Sequence, residues 1–155
     1  MTEKLKLGSK IKTPGRTLTE ADIVIFAGLT GDYHPAHTNE IYASKNDIIK
    51  RRVAHGLLTL SICQGLLLRS NIIDWEEEPI LMLGLNNVKF ISPVYPNDTL
   101  YSIFEVIDVR DSKSVKGGKI VTMRCECRKA NDLIVLSYEY SFIYMGNNQF
   151  TKSST

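Results

Sequence analysis

The segment from Gly56 to about Arg69 leaves the fewest choices open. Leu57, Leu58, Leu60, Ile62, Cys63, Leu66, Leu67 and Leu68 give it almost no polar face. A helix that is apolar nearly all round belongs inside a domain rather than on its surface, so something must wrap it. The second half of the chain supplies the wrapping. Val121, Met123, Cys125 and Cys127 alternate with Thr122, Arg124 and Glu126, a period of two with one apolar and one polar face. Ile134, Leu136, Tyr138, Tyr140, Phe142 and Tyr144 continue the pattern after a turn at Asn131-Asp132. Leu100 to Val109 is rich in β-branched and aromatic residues, Leu81 to Phe90 reads as a further strand, and Gly117-Gly118 marks a turn. Four consecutive strands with short turns predict an antiparallel sheet curved around one buried helix, an α+β arrangement.

Size and charge narrow the partners. At 155 residues, with 43% hydrophobic and 23% charged residues, the chain is expected to form one domain over residues 1–155, without repeat or linker. The polar stretch over residues 146–155 is expected to be loosely ordered. A formal charge of +2 gives no pull toward nucleic acid or an anionic membrane, and no basic stripe interleaves with aromatics. No apolar run approaches the roughly 20 residues that span a bilayer. Lys4, Lys6, Lys10 and Lys12 lead into no apolar stretch of the kind a signal peptide needs. The three cysteines are odd in number and form no disulfide framework. Cys125 and Cys127 fall on one strand face and read as buried thiols rather than metal ligands, with a reducing cytoplasm as the simplest setting.

The first half is organised differently. Thr19-Glu20-Ala21-Asp22 resembles a capping box opening a short helix through Phe26 and Ala27, and Asn39 is placed to cap another. Between them, residues 28–37 pack Gly28, Gly31, Asp32, His34, Pro35 and His37 into a few positions. Pro35 forbids a regular helix interior and pushes His34 toward extended geometry, while Gly31 permits a backbone conformation that a side chain resists. Asp32 and His37 are therefore expected to be held by a rigid loop rather than by helical stacking. A carboxylate beside an imidazole makes an acid/base pair, since histidine titrates near neutrality. The same residues also admit a plainer reading, in which the Asp caps backbone N–H groups and the His is a surface residue.

The stretch from Phe26 to Ala43 resembles the signature of the MaoC-like dehydratases, which include the (R)-specific enoyl-CoA hydratases. That signature runs aromatic, small residue, Gly-Asp, then x-Asn-Pro-aliphatic-His, then five residues and Ala or Ser. Gly31, Asp32, Pro35, His37 and Ala43 fall in those places. Val53-Ala54-His55-Gly56-Leu57-Leu58 looks like the family's start of the central helix. Phe90 to Leu100 looks like its F-x-x-P-V-x-x-G-D-x-L segment, with Asn97 where Gly is usual. His34 replaces the common Asn, and Ala36 a larger aliphatic residue. The resemblance implies a hot-dog fold: an antiparallel sheet wrapped around a long central helix, with an extra helical overhang carrying Asp32 and His37 as the catalytic pair. It further implies a homodimer, sometimes assembled further.

By this resemblance the expected reaction is hydration of a 2-enoyl thioester, or its reverse. Charge develops on the thioester oxygen, and fixed backbone N–H donors at Gly56, which opens the helix, would meet it. His55 reads either as a third functional group or as a cap or packing residue. Lys50, Arg51 and Arg52 read either as contacts for coenzyme A phosphates or as a solvated basic loop. Tyr33 and His34 flank Asp32 and join His55, Arg51 and Arg52 as candidate substrate-binding residues. Ser61 and Gln64 both stand on the helix where a family Ser approaches the pair. No metal or organic cofactor is expected beyond coenzyme A as part of the substrate; the partner is an acyl-CoA or acyl-carrier-protein thioester. The rival readings are a hot-dog thioesterase and a non-catalytic thioester-binding module.

Overall fold

The computed structural model describes residues 5–72 and 79–145. The stretch from Gly146 onward lies outside the described residues. Two short strands come first, β1 (Lys10–Lys12) and β2 (Arg16–Thr17), followed by helices α1 (Glu20–Thr30), α2 (Pro35–Thr38), α3 (Glu40–Ser44) and α4 (Gly56–Leu68). Four long strands complete the chain: β3 (Ile80–Phe90), β4 (Thr99–Asp111), β5 (Lys119–Lys129) and β6 (Ile134–Tyr144).

The strands form one antiparallel sheet in the order β1-β4-β5-β6-β3, with β2 also paired to β4. The turns are made where the sequence permits them, at Gly117 with φ +75° and at Asp132 with φ +66°. The period-two pattern has its expected consequence. Val121, Met123, Cys125 and Cys127 face the core from β5, and Leu136, Tyr138, Tyr140, Phe142 and Tyr144 from β6. One connection breaks the meander: β3 does not pair with β4 but crosses to the far edge, against β6.

Helix α4 packs against β4 on the inner face of the sheet, burying Leu58, Ile62, Cys63, Leu66 and Leu67. It is not enclosed all round, as its composition led us to expect. Leu57 is 63% and Leu68 39% exposed, and Ser61 between them is exposed too. The sheet covers one side of the helix, so residues spaced by four and seven along the other side are left open. The same side of the chain's apolar inventory reappears on β3, where Leu81, Met82 and Leu83 are about half exposed or more. The first two strands were not anticipated from sequence: β1 and β2 are too short and too polar to show a period.

Candidate active site

Helix α1 sets the position of Asp32. Its start is fixed by a capping box in which Thr19 Oγ1 accepts from Asp22 N–H while the Asp22 carboxylate accepts from Thr19 N–H at 2.8 Å. Its end is fixed by Gly31, which at φ +78° takes the left-handed conformation that terminates helices and donates its N–H to Ala27 O. The chain leaves the helix with Asp32 exposed. Asp32 Oδ1 then accepts the His34 N–H at 3.2 Å.

What sequence reading took for a rigid loop is partly a helical turn. Pro35 stands at the first position of α2, where its missing N–H costs nothing, and His34 is extended with ψ 135° as a residue before proline should be. His37 rides on this turn. Its Nδ1 lies 2.8 Å from Val53 O, and because a carbonyl only accepts, Nδ1 carries the proton and Nε2 is left with a free lone pair. Residues 53–54 are themselves clamped, by Val53 N–H to Ala36 O at 3.1 Å and Ala54 N–H to Val94 O at 2.8 Å.

His55 is neither a cap nor an idle packing residue. It stands at the N-cap position of α4, yet makes no side-chain capping bond. Its Nε2–H donates to the Asp32 main-chain carbonyl at 2.9 Å, and its ring stacks on His37 with centroids 3.8 Å apart. The ring is 2% exposed, and its Nδ1 is buried without a protein partner among the described residues. One ligating or titrating atom from each of Asp32, His37 and His55 lies within 4.8 Å of the other two. His37 Nδ1 and His55 Nε2 are engaged by carbonyls, which leaves one nitrogen of each ring for other chemistry. As an acid/base group the trio fits well. Burial holds the His37 imidazole below the ordinary histidine value; Val53 O and the Asp32 charge pull it up, and His55 and His34 push it down.

These groups open onto a cavity of about 640 Å³, whose wall includes Asp32, His37, His55, Gly56, Thr59 and Phe90. Gly56, the first residue of α4, lines the cavity, and the N-cap residue His55 makes no side-chain capping bond. The lack of a side chain at Gly56 has a packing reason: a methyl group there would sit 2.9 Å from Phe90 Cε1. Ile48 and Ile49 line the cavity as well, and sequence reading passed them over, although an apolar pair beside Lys50 and Arg51 was a visible signal.

The other candidates lie off the wall. Tyr33 is 62% exposed, and His34 caps α2 with its ring, Nδ1 accepting from Ala36 N–H. Arg52 is tied to Glu40 at 3.1 Å and also to Glu20, so its charge is already matched and it joins α1 to α3. Arg51 lies over the Tyr95 ring at 4.3 Å, and Tyr95 in turn donates to Ile49 O. Ser61 donates to Leu57 O within its own helix, and Gln64 donates to Tyr138 OH in the core; neither reaches the cavity.

A sheet wrapped on one helix, with an inserted helical segment beside that helix's N-terminus, is the hot-dog fold. Residues 3–124 match the profile of the MaoC like domain, and the chain belongs to that family. The MaoC protein of Klebsiella aerogenes is 41% identical over 99 residues, which are 63% of this chain but only 28% of that protein. An (R)-specific enoyl-CoA hydratase of Rhodospirillum rubrum is 32% identical over 120 residues, covering 77% of this chain and 76% of the relative. Among solved structures, a monoamine oxidase regulatory protein from Archaeoglobus fulgidus superposes with a TM-score of 0.82 at 32% identity, covering 93% of both chains.

Proposed function

We propose that this protein is a hydratase/dehydratase that interconverts a 2-enoyl thioester and its (R)-3-hydroxyacyl thioester, with Asp32 and His37 as the catalytic pair. The observation that carries the reading is that side-chain atoms of Asp32 and His37 lie within 4.8 Å of each other on the wall of a cavity that Gly56 also lines. No direct hydrogen bond joins the two side chains among the described residues, and the spacing suits one water held between them. That water adds through its oxygen to the β carbon. The double-bond electrons move to the thioester oxygen, where the Gly56 N–H and the positive end of α4 stabilise the enolate. The water's proton passes to the Asp32–His37 pair, and the pair returns a proton to the α carbon, so one water is added overall. Dehydration runs the same path backwards. The (R) outcome and the coenzyme A thioester are carried over from the Rhodospirillum relative's name. The reading calls for no metal and no organic cofactor.

The open stripe of α4 and the exposed leucines of β3 suit a second copy of the chain, and the working unit in this reading is a homodimer. The three free, buried thiols suit a reducing cytoplasm. The test follows the ultraviolet absorbance of a conjugated 2-enoyl-CoA mixed with the protein, beside Asp32→Asn and His37→Gln. Loss of absorbance without thiol release, reduced about a thousandfold in both variants, is the expected result. Fast thiol release marks a thioesterase instead. Acyl-CoA binding without turnover at any chain length marks a binding module.

A further inference from the structure

Helix α2 is a single turn that carries His37 as its third residue. A helix this short has no propagated hydrogen bonds to hold it, so its first amides depend on what precedes them. His34 provides for them with its ring: Nδ1 accepts the Ala36 N–H at 3.1 Å. The main chain of the same residue makes further ties. Its N–H donates to Asp32 Oδ1 at 3.2 Å, and its carbonyl accepts from His37 N–H at 2.9 Å and from Thr38 Oγ1 at 3.3 Å. One residue therefore holds the carboxylate on one side and the imidazole turn on the other.

We propose that His34 is a positioning residue that fixes Asp32 and His37 relative to each other through its main chain and its ring, and that the ring's part in this, the cap on Ala36, holds only while the imidazole is neutral. Its effect on turnover rests on the hydratase reading above; its effect on the turn does not. A backbone N–H can only donate, so the Nδ1 that meets Ala36 must hold a lone pair. A protonated imidazole carries N–H at both nitrogens, and the cap becomes a donor facing a donor. The new charge would also stand at the positive end of the turn. Two rings face the imidazole, the His37 ring of α2 at 6.1 Å between centroids and the Tyr42 ring of α3 at 5.9 Å, and the Asp32 carboxylate is held on the His34 main-chain N–H. Asparagine at this position would accept the same amide and never titrate.

The experiment uses the full chain with His34→Asn and His34→Ala. The Ala36 amide proton shift is followed by NMR from about pH 5 to 8, the range in which imidazoles titrate. In the wild type it moves upfield as pH falls and the cap is lost. In His34→Asn it stays at the capped position, and in His34→Ala it lies upfield throughout. Hydration kinetics give the second reading. His34→Ala lowers kcat about fivefold or more with KM changed less than twofold, and His34→Asn restores kcat near pH 7 and exceeds the wild type at about pH 5.5. An Ala36 shift that titrates identically in the wild type and in His34→Asn overturns the proposal. So does a normal kcat in His34→Ala when the wild type is an active hydratase. If the shifts behave as expected while no variant, wild type included, hydrates the thioester, the positioning role stands and the hydratase reading falls.

Discussion

The rings of His37 and His55 stack with their centroids 3.8 Å apart and their planes inclined by 29°. Each is locked in one tautomer by a carbonyl, His37 by Val53 and His55 by Asp32. Two imidazoles in this contact repel each other if both are charged, and this opposes a proton on His37.

That contact has a pH signature. The His37 pKa is held below its ordinary value of 6.5, chiefly by burial and further by His55. A depressed histidine favours its neutral form in the folded state. Its contribution to stability is complete above pH 6.5 and is lost as pH falls through the folded value. The acid limb of kcat/KM for hydration is accordingly expected below pH 6.5. Replacing His55 by Gln removes one downward influence and moves that limb toward higher pH. The His37 ring protons, followed by NMR, should shift in the same sense, and a downward move would contradict this account of the pair.

Gly56 and Phe90 should be energetically coupled. An added methyl at Gly56 meets the Phe90 ring at 2.9 Å, so Gly56→Ala is expected to cost about 1 kcal/mol as that ring is displaced. In a Phe90→Ala background the clash is gone, and the better helix propensity of alanine makes the same substitution neutral or stabilising. Urea unfolding of the four proteins of this double-mutant cycle reads the coupling directly.

Arg52 is expected to matter for stability and not for substrate affinity. Its guanidinium bridges Glu20 of α1 and Glu40 of α3, with the three side chains partly exposed. Arg52→Ala should lower stability by about 1 kcal/mol or less, because solvent screens such pairs. KM for an enoyl-CoA should stay within about twofold of the wild type, a change too small to report a lost phosphate contact.

The thiols should be silent in the native protein. Cys63, Cys125 and Cys127 are fully buried, and burial pushes Cys125 up to about 12. Cys63 is also raised, by its hydrogen bond with Cys127 and by burial. An aromatic disulfide reagent is expected to find no fast-reacting thiol at neutral pH and to find all three once guanidinium unfolds the chain.

Periodicity made the long strands and α4 legible in the sequence, because burial on one face writes a period of two and burial of a helix excludes polar residues. Local chemistry made the caps legible: Thr19 with Asp22, Asn39 accepting from Tyr42 N–H, and Asn97 at φ +74° in the turn. Asp32, His37, His55 and Gly56 were singled out, and the structure brings them to one cavity wall. What could not be read was whatever depends on distant partners. The His55 bond to the Asp32 carbonyl spans 23 residues, the Phe90 ring meets Gly56 from another element, and Arg52 looks like a free cation until Glu20 and Glu40 are seen around it. The open side of α4 was misread because composition counts apolar residues without saying which of them the sheet reaches.

The crossing of β3 to the far edge of the sheet has a consequence for the order in which the molecule comes together. Ile80 pairs with Tyr144 and Phe90 with Leu136, so every strand partner of β3 among the described residues lies in β6, the last described strand. During synthesis β3 emerges early and has nothing to pair with until β6 has followed. The hairpins β4–β5 and β5–β6 close over short spans, whereas β3 must wait for a contact of high sequence separation. Phe90 and Ile91, which wall the cavity, sit at the end of that waiting strand. That wall of the pocket is thus completed only after β6 has been made.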